Sequence, residues 1–220
     1  MDTRDKLLEI YRRLLAHYGP QRWWPADDPF EVVVGAILTQ SAAWGNVEKA
    51  ITNLKKADAL SPATLRRLPT DDLARLIYPC GYYNAKAQKL KAFVQVLGEE
   101  YTDDLEALFS LDMPQLRGKL LSIYGIGEET ADSIILYAAG KPIFVIDAYT
   151  RRILRRLGLG PANESYAAFQ EPFTSNLPPQ TCLFNEYHAL LVRHGKEVCK
   201  KKPLCPCCLS SLCSAQFQSG

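Results

Sequence analysis

Leu120-Leu-Ser-Ile-Tyr-Gly-Ile-Gly-Glu-Glu-Thr-Ala131 is the stretch from which the fold is read. Apolar residues at helical spacing flank it over 116–123 and 130–139. Two short amphipathic helices are therefore joined by a tight turn holding Gly125 and Gly127. Glycine takes conformations closed to other residues and leaves backbone N–H groups uncovered. The second helix starts at once, with the positive end of its dipole aimed outward. Such a turn can hold a phosphate without reading any base. Most Gly-x-Gly turns between helices are only tight connections, so the turn by itself names no function.

Beyond the hairpin, Lys141-Pro-Ile-Phe-Val-Ile-Asp147-Ala-Tyr-Thr-Arg-Arg puts one acid after an apolar run and at the head of a basic helix. An aspartate there is ordinarily an N-cap, worth about 1 kcal/mol. A helix N-terminus also favours the charged form of a carboxylate, and a carboxylate beside DNA can steady a positively charged sugar. Asp147 is the candidate catalytic residue on these grounds. Five bases stand against this one acid between Lys141 and Arg156, and a second basic stretch runs from Arg193 to Lys202. Six acids and no base fall between Glu99 and Asp112. The charge is segregated although the net charge is only +2, and solvated helix faces would account for much of it.

Near the C-terminus, Cys199, Cys205, Cys208 and Cys213 are spaced C-x5-C-x2-C-x4-C. The N-terminus lacks the apolar core of a secretory signal, and the longest apolar run, Val32 to Leu38, cannot span a bilayer. A cytoplasmic location is expected, and disulfides do not persist there. Four cysteines in one compact loop suit a 4Fe–4S cluster. Zinc is the rival, although its ligand pairs are usually separated by a longer excursion. Cys207 could stand in for Cys208, but only one residue would then separate it from Cys205, so Cys208 is preferred. Cys80 and Cys182 stand apart.

The remainder is helical in pattern. With 47% hydrophobic and 23% charged residues the chain is globular, and about ten helices are expected. Helices are read over 30–39, 46–54, 85–101, 148–157 and 186–194. N-caps are read at Ser61-Pro62 and Thr70-Asp71-Asp72. Only Pro142 to Ile146 has strand-like content.

These features, in this order, resemble the endonuclease III superfamily of helix–hairpin–helix base-excision enzymes. Tyr124-Gly-Ile-Gly127 resembles its hairpin signature, Val145-Ile-Asp147 with Arg151-Arg152 its catalytic aspartate region, and His194-Gly-Lys196 leading to Cys199 its cluster loop. Ile37-Leu-Thr-Gln40 is similar to the helix whose Gln probes the gap left by a flipped base. Cys80-Gly-Tyr-Tyr-Asn-Ala-Lys86 is similar to the intercalating loop, with Tyr82 near the wedge position. The resemblance implies an all-α, two-lobed HhH-GPD DNA glycosylase fold. A six-helix barrel would cover 25–140, with the helix–hairpin–helix at about 116–139. Residues 1–24 and 141–220 would form the second lobe, with the cluster loop at 199–213 and the active site in the cleft between lobes. It also implies a 4Fe–4S cofactor and a monomer acting on duplex DNA with a damaged base, nucleoid-associated and away from membranes.

Two departures bear on subtype. Bifunctional members carry G-x-G-x-K-T-A, whose lysine attacks the sugar; here the slot reads Gly125-Ile-Gly-Glu-Glu129-Thr-Ala. A carboxylate cannot form an imine, so Glu129 implies a monofunctional hydrolase. The usual cluster spacing, C-x6-C-x2-C-x5-C, is also one residue longer in each outer gap. The chain's three tryptophans lie together, as Arg22-Trp23-Trp24-Pro25 and Trp44. This looks like the endonuclease III-type 3-methyladenine glycosylases, which lack the lysine and also the cluster. Trp23, Trp24 and Trp44 are then base-pocket candidates, because aromatic faces attract a cationic methylated base. Core anchoring is the plainer role for Trp23 and Trp24. Methylated guanine, deaminated bases and mismatched thymine fit aromatic walls as well. An oxidised-pyrimidine glycosylase with lyase activity and a non-catalytic damage-binding protein are the alternative functions.

Overall fold

The computed structural model describes residues 2–204 and 206–214, so Cys205, one expected cluster ligand, lies outside the described residues. Among those described there are twelve α-helices and no strand. The chain divides into two compact units: Met1–Trp23 with Pro142–Gly220, and Trp24–Lys141. No described helix is long and apolar enough to cross a membrane.

Helix α1 (Thr3–Tyr18) opens the first unit, capped by Asp2, whose side chain accepts from Asp5 N at 2.7 Å. The second unit follows. Helix α2 (Pro29–Leu38) is apolar but for Glu31, which pairs with Lys55 at 2.9 Å, and every residue from Phe30 to Leu38 is buried. Asp28 caps it and Pro29 sits in its first turn, where a missing N–H costs nothing. Next come α3 (Trp44–Lys56), α4 (Pro62–Arg67) and α5 (Thr70–Leu76). Ser61 caps α4 as the sequence suggests, accepting from Thr64 N at 3.3 Å. The cap expected at Thr70 shifts by one: Pro69 holds that position without a side-chain bond, and Thr70 is already helical. Helix α6 (Tyr83–Tyr101) buries Leu90, Phe93, Val94 and Leu97 on one face, following the 3.6-residue period. Helices α7 (Leu105–Phe109), α8 (Met113–Ser122) and α9 (Glu128–Ser133) complete the unit, and α9 runs on as a π-helical stretch, Ile134–Ala138.

The chain then re-enters the first unit with α10 (Ala148–Arg156), α11 (Tyr166–Asn176) and α12 (Thr181–Glu197). The strand-like segment before α10 forms no strand, and none is present among the described residues for it to pair with. Its side chains point inward: Phe144 stacks on Phe173 with ring centroids 3.6 Å apart and meets Phe184 edge-on at 5.3 Å. Its buried backbone finds side-chain partners instead of a ladder. Ile146 N donates to Tyr166 Oη at 3.1 Å, and Gln170 Nε2 donates to Phe144 O at 2.7 Å. Both partners come from α11, a helix the sequence conceals because Pro172 lies inside it.

Candidate functional site

The hairpin turn belongs to the second unit. Gly125 has φ +81°, and a Cβ there would lie 2.3 Å from Lys89 Cγ, so both conformation and space require glycine. Gly127 differs from expectation: its φ of −94° is open to any residue, and nothing stands within 4 Å of a Cβ added to it. It is the N-cap of α9 and makes no side-chain bond there. Bare backbone facing open space is what close approach of a phosphate requires. Gly125→Ala should therefore cost roughly 1 kcal/mol or more in urea unfolding. Gly127→Ala should leave stability nearly unchanged yet weaken binding to undamaged duplex. Equal stability losses in the two variants would contradict this division.

Ile126 is buried between two exposed turns of chain, while Tyr124 is 63% exposed. Beneath the turn, Arg117 Nε of α8 donates to Asp132 Oδ1 of α9 at 2.7 Å, and that carboxylate is fully buried. Arg117 also reaches Glu128 at 3.4 Å. This ion pair fixes one hairpin helix against the other.

Gln40, just past α2, is held at both ends of its amide. Its Nε2 donates to Gly125 O at 3.1 Å and to Thr130 Oγ1 at 3.0 Å. Lys89 Nζ donates to its Oε1. The proposed gap-probing glutamine is thus built into the hairpin. Lys89 escaped the sequence analysis because its partner lies 49 residues away and no local pattern marks it. Glu129 stands exposed in the first turn of α9. Tyr82 is 76% exposed and precedes α6 with φ +46°, directly after Gly81 at φ +63°. A tyrosine in left-handed backbone is strained by on the order of 1 kcal/mol or more. Lys86, itself buried, braces this loop by donating to Cys80 O at 2.7 Å.

The second unit gathers three aromatic side chains. Trp24 meets Trp44 edge-on at 5.2 Å and Tyr137 in a tilted pair at 5.4 Å. Gly35 of α2 makes room for this group, since a Cβ there would stand 2.9 Å from Trp24 Cζ2. Trp23 lines a pocket of the first unit with Gln21, Ala189, Arg193 and Lys196. Tyr137, by contrast, is a member that sequence reasoning missed.

In the first unit Asp147 does cap α10, accepting from Thr150 N at 2.7 Å through Oδ1. It is 9% exposed. Capping uses one of its oxygens, so the bond does not preclude a chemical role. Nearby His188 is buried, and burial holds its imidazole below the usual 6.5, partly offset by the charge of Asp147. Below that pH the unfolded chain takes up a proton that folded His188 resists, so stability falls as the solution is acidified from about 6.5. His188→Gln should flatten the loss in unfolding free energy between pH 7.5 and pH 5.5; an unchanged slope would refute the assignment.

The arginines of α10 largely serve the fold. Arg151 donates to Glu164 O at 2.9 Å, and Arg155 pairs with the Glu164 carboxylate. Arg152 donates to Cys199 O at 2.7 Å and Gly195 O at 2.9 Å. Arg156 donates to Cys199 Sγ at 3.0 Å and Lys200 O at 2.7 Å. The last two therefore tie α10 to the cysteine loop. That loop closes over a small, largely apolar pocket whose wall includes Cys199, Cys207, Cys213 and His194. Soft sulfur donors on an apolar wall suit an iron–sulfur cluster in kind. Among the described residues, however, no three metal-binding side chains are drawn together into a metal site. Cys208 is not on that wall.

Comparison with known proteins fits these features. The profile of the HhH-GPD superfamily of base excision DNA repair proteins matches residues 34–179. A Methanocaldococcus jannaschii protein provisionally named a DNA repair glycosylase is 47% identical over 205 residues, 93% of each chain. The crystal structure of the H. pylori 3-methyladenine DNA glycosylase bound to 1,N6-ethenoadenine superposes with a TM-score of 0.77 at 27% identity, covering 90% of this chain and 98% of that one. A trapped endonuclease III–DNA intermediate shares the fold, with a TM-score of 0.81 at 21% identity over 97% and 96% of the two chains. The chain belongs to the HhH-GPD superfamily. Within it, the protein is a base-excision DNA repair glycosylase.

Proposed function

We propose that this glycosylase is monofunctional and hydrolyses the N-glycosidic bond of alkylated bases, 3-methyladenine among them, in duplex DNA. One observation carries the reading: the residue in the slot of the attacking lysine is Glu129, on the exposed first turn of α9. It offers no amine for a Schiff base. The aromatic trio of Trp24, Trp44 and Tyr137 supports the choice of base, because a cationic methylated purine is attracted to aromatic faces. The likeness to a 27% identical enzyme named a 3-methyladenine glycosylase points the same way.

In this scheme the protein acts as a monomer and binds duplex through non-specific phosphate contacts. N–H groups around Gly125 and Gly127 hold the backbone, and the damaged nucleotide is flipped out of the stack. Tyr82 and Gln40 fill the vacated space. The glycosidic bond breaks with its electron pair going to the base, so a cationic methylpurine leaves neutral. Asp147 steadies the oxocarbenium-like sugar and orients the water that bonds to C1′. That water's spare proton passes to solvent through the carboxylate. A base already so ready to leave needs no strong general acid.

The loop cysteines would hold a 4Fe–4S cluster that pins the C-terminal loop and presents Lys200 to Lys202 to phosphates, with no redox part in the reaction. Borohydride trapping on a duplex with an abasic site tests the monofunctional assignment. No covalent adduct and no strand cleavage are expected; a trapped adduct would favour the lyase reading.

A further inference from the structure

We propose that Lys89 is a positioning residue for DNA: its ammonium locks the Gln40 amide in one orientation against the hairpin, so that Gln40 and the turn meet the duplex as one piece. The inference rests on the reading above that Gln40 fills the space left by a flipped nucleotide. Lys89, Gln40, Gly125 and Thr130 all belong to the second unit.

The contacts form a closed ring. The stem of Lys89 lies along the turn, for a Cβ added to Gly125 would stand 2.3 Å from its Cγ, 2.6 Å from its Cδ and 2.8 Å from its Cε. Gly125 is thus required for more than its positive φ, because any side chain there would push Lys89 off the turn. Lys89 Nζ then donates to Gln40 Oε1. At the other end of the amide, Nε2 donates to Gly125 O at 3.1 Å and to Thr130 Oγ1 at 3.0 Å. Gln40 follows α2, Lys89 lies in α6 and Thr130 in α9, so the ring joins elements far apart in the chain.

The chemistry of the partners admits a single orientation of the amide. An ammonium only donates, so the oxygen must face Lys89; a carbonyl only accepts, so the nitrogen must face Gly125. Thr130 does not choose, because a hydroxyl both gives and takes. Lys89 therefore makes half of the selection, and as a charged donor the stronger half. Without the ammonium the half-buried amide is held from one end only, and the side chain regains rotamers that the clamp excludes.

The test uses the full chain and two duplexes, one undamaged and one carrying a stable abasic-site analogue, whose gap exists before the protein binds. The ratio of the two affinities cancels the general attraction of a cation for DNA. Lys89→Met keeps the stem on Gly125 and removes the donor, and lysine and methionine form helices about equally well, so the fold should survive. This variant should lose about tenfold of the preference for the gapped duplex, the worth of one charge-assisted hydrogen bond. Lys89→Arg, which still donates, should recover most of it. Gln40→Leu should lose at least as much as Lys89→Met. The double variant should lose no more than Gln40→Leu alone, because Lys89 acts only through the amide.

A wild-type ratio in Lys89→Met, or losses that multiply in the double variant, overturns the proposal. Release of alkylated bases by the wild-type protein is scored separately. Its failure would overturn the choice of substrate, and it would leave standing a ratio measured on DNA that carries no base at the gap.

Discussion

Asp147→Asn is expected to leave the protein folded and to slow base release by a factor on the order of 10^2 to 10^4, about 3–5 kcal/mol of transition-state stabilisation. Asparagine caps a helix about as well as aspartate does. The bond from Thr150 N to Oδ1, 2.7 Å in the structure, therefore survives the change. What disappears is the negative charge that a developing sugar cation requires. Single-turnover release of the base, set beside thermal unfolding, separates the two roles. Asp147→Ala adds the loss of the cap, about 1 kcal/mol. If Asp147→Asn released bases at the wild-type rate, Asp147 would be a cap and nothing more.

Arg117→Met should be the most destabilising single change in the hairpin. It removes the guanidinium 2.7 Å from a carboxylate that is fully buried, and with it the ion pair across the hairpin. Breaking a buried pair from one side costs about 3–5 kcal/mol, a large share of a domain's usual stability. Urea unfolding measures this directly. The pair links α8 to α9, so duplex binding through Gly125 and Gly127 should weaken in the same variant under conditions where it remains folded. Replacing both partners, as in Arg117→Met with Asp132→Leu, should recover much of the loss, because apolar groups of similar size tolerate burial. A loss below about 1 kcal/mol in the single variant would show that the pair does not hold the hairpin.

The hairpin was legible in the sequence because its signals are local: two amphipathic periods and a glycine turn. The α10 cap was legible for the same reason, an acid ahead of a helical pattern. Tertiary context hid the rest. Pro172 disguised α11, a helix whose burial of Tyr166, Phe169 and Phe173 outweighs the lost backbone bond. Pro142 to Ile146 looked like a strand, yet its backbone is satisfied by side chains of α11. Trp23 and Trp24 are neighbours in sequence but fall in different units, Trp24 meeting Trp44 and Tyr137, and Trp23 lining a pocket with Arg193 and Lys196. Gly127 was expected to need glycine's conformational freedom, whereas only Gly125 does. Lys89 and Tyr137 carry no local signature, because what matters about them is a partner far away in the chain.

The most direct test of the central claim is incubation of the purified protein with methylated duplex DNA, with free bases separated and strand nicking scored in parallel. Release of 3-methyladenine from strands that stay intact is the expected result. Failure to release any alkylated base, together with cleavage at oxidised pyrimidines, would contradict it and make the protein an endonuclease III-like glycosylase and lyase.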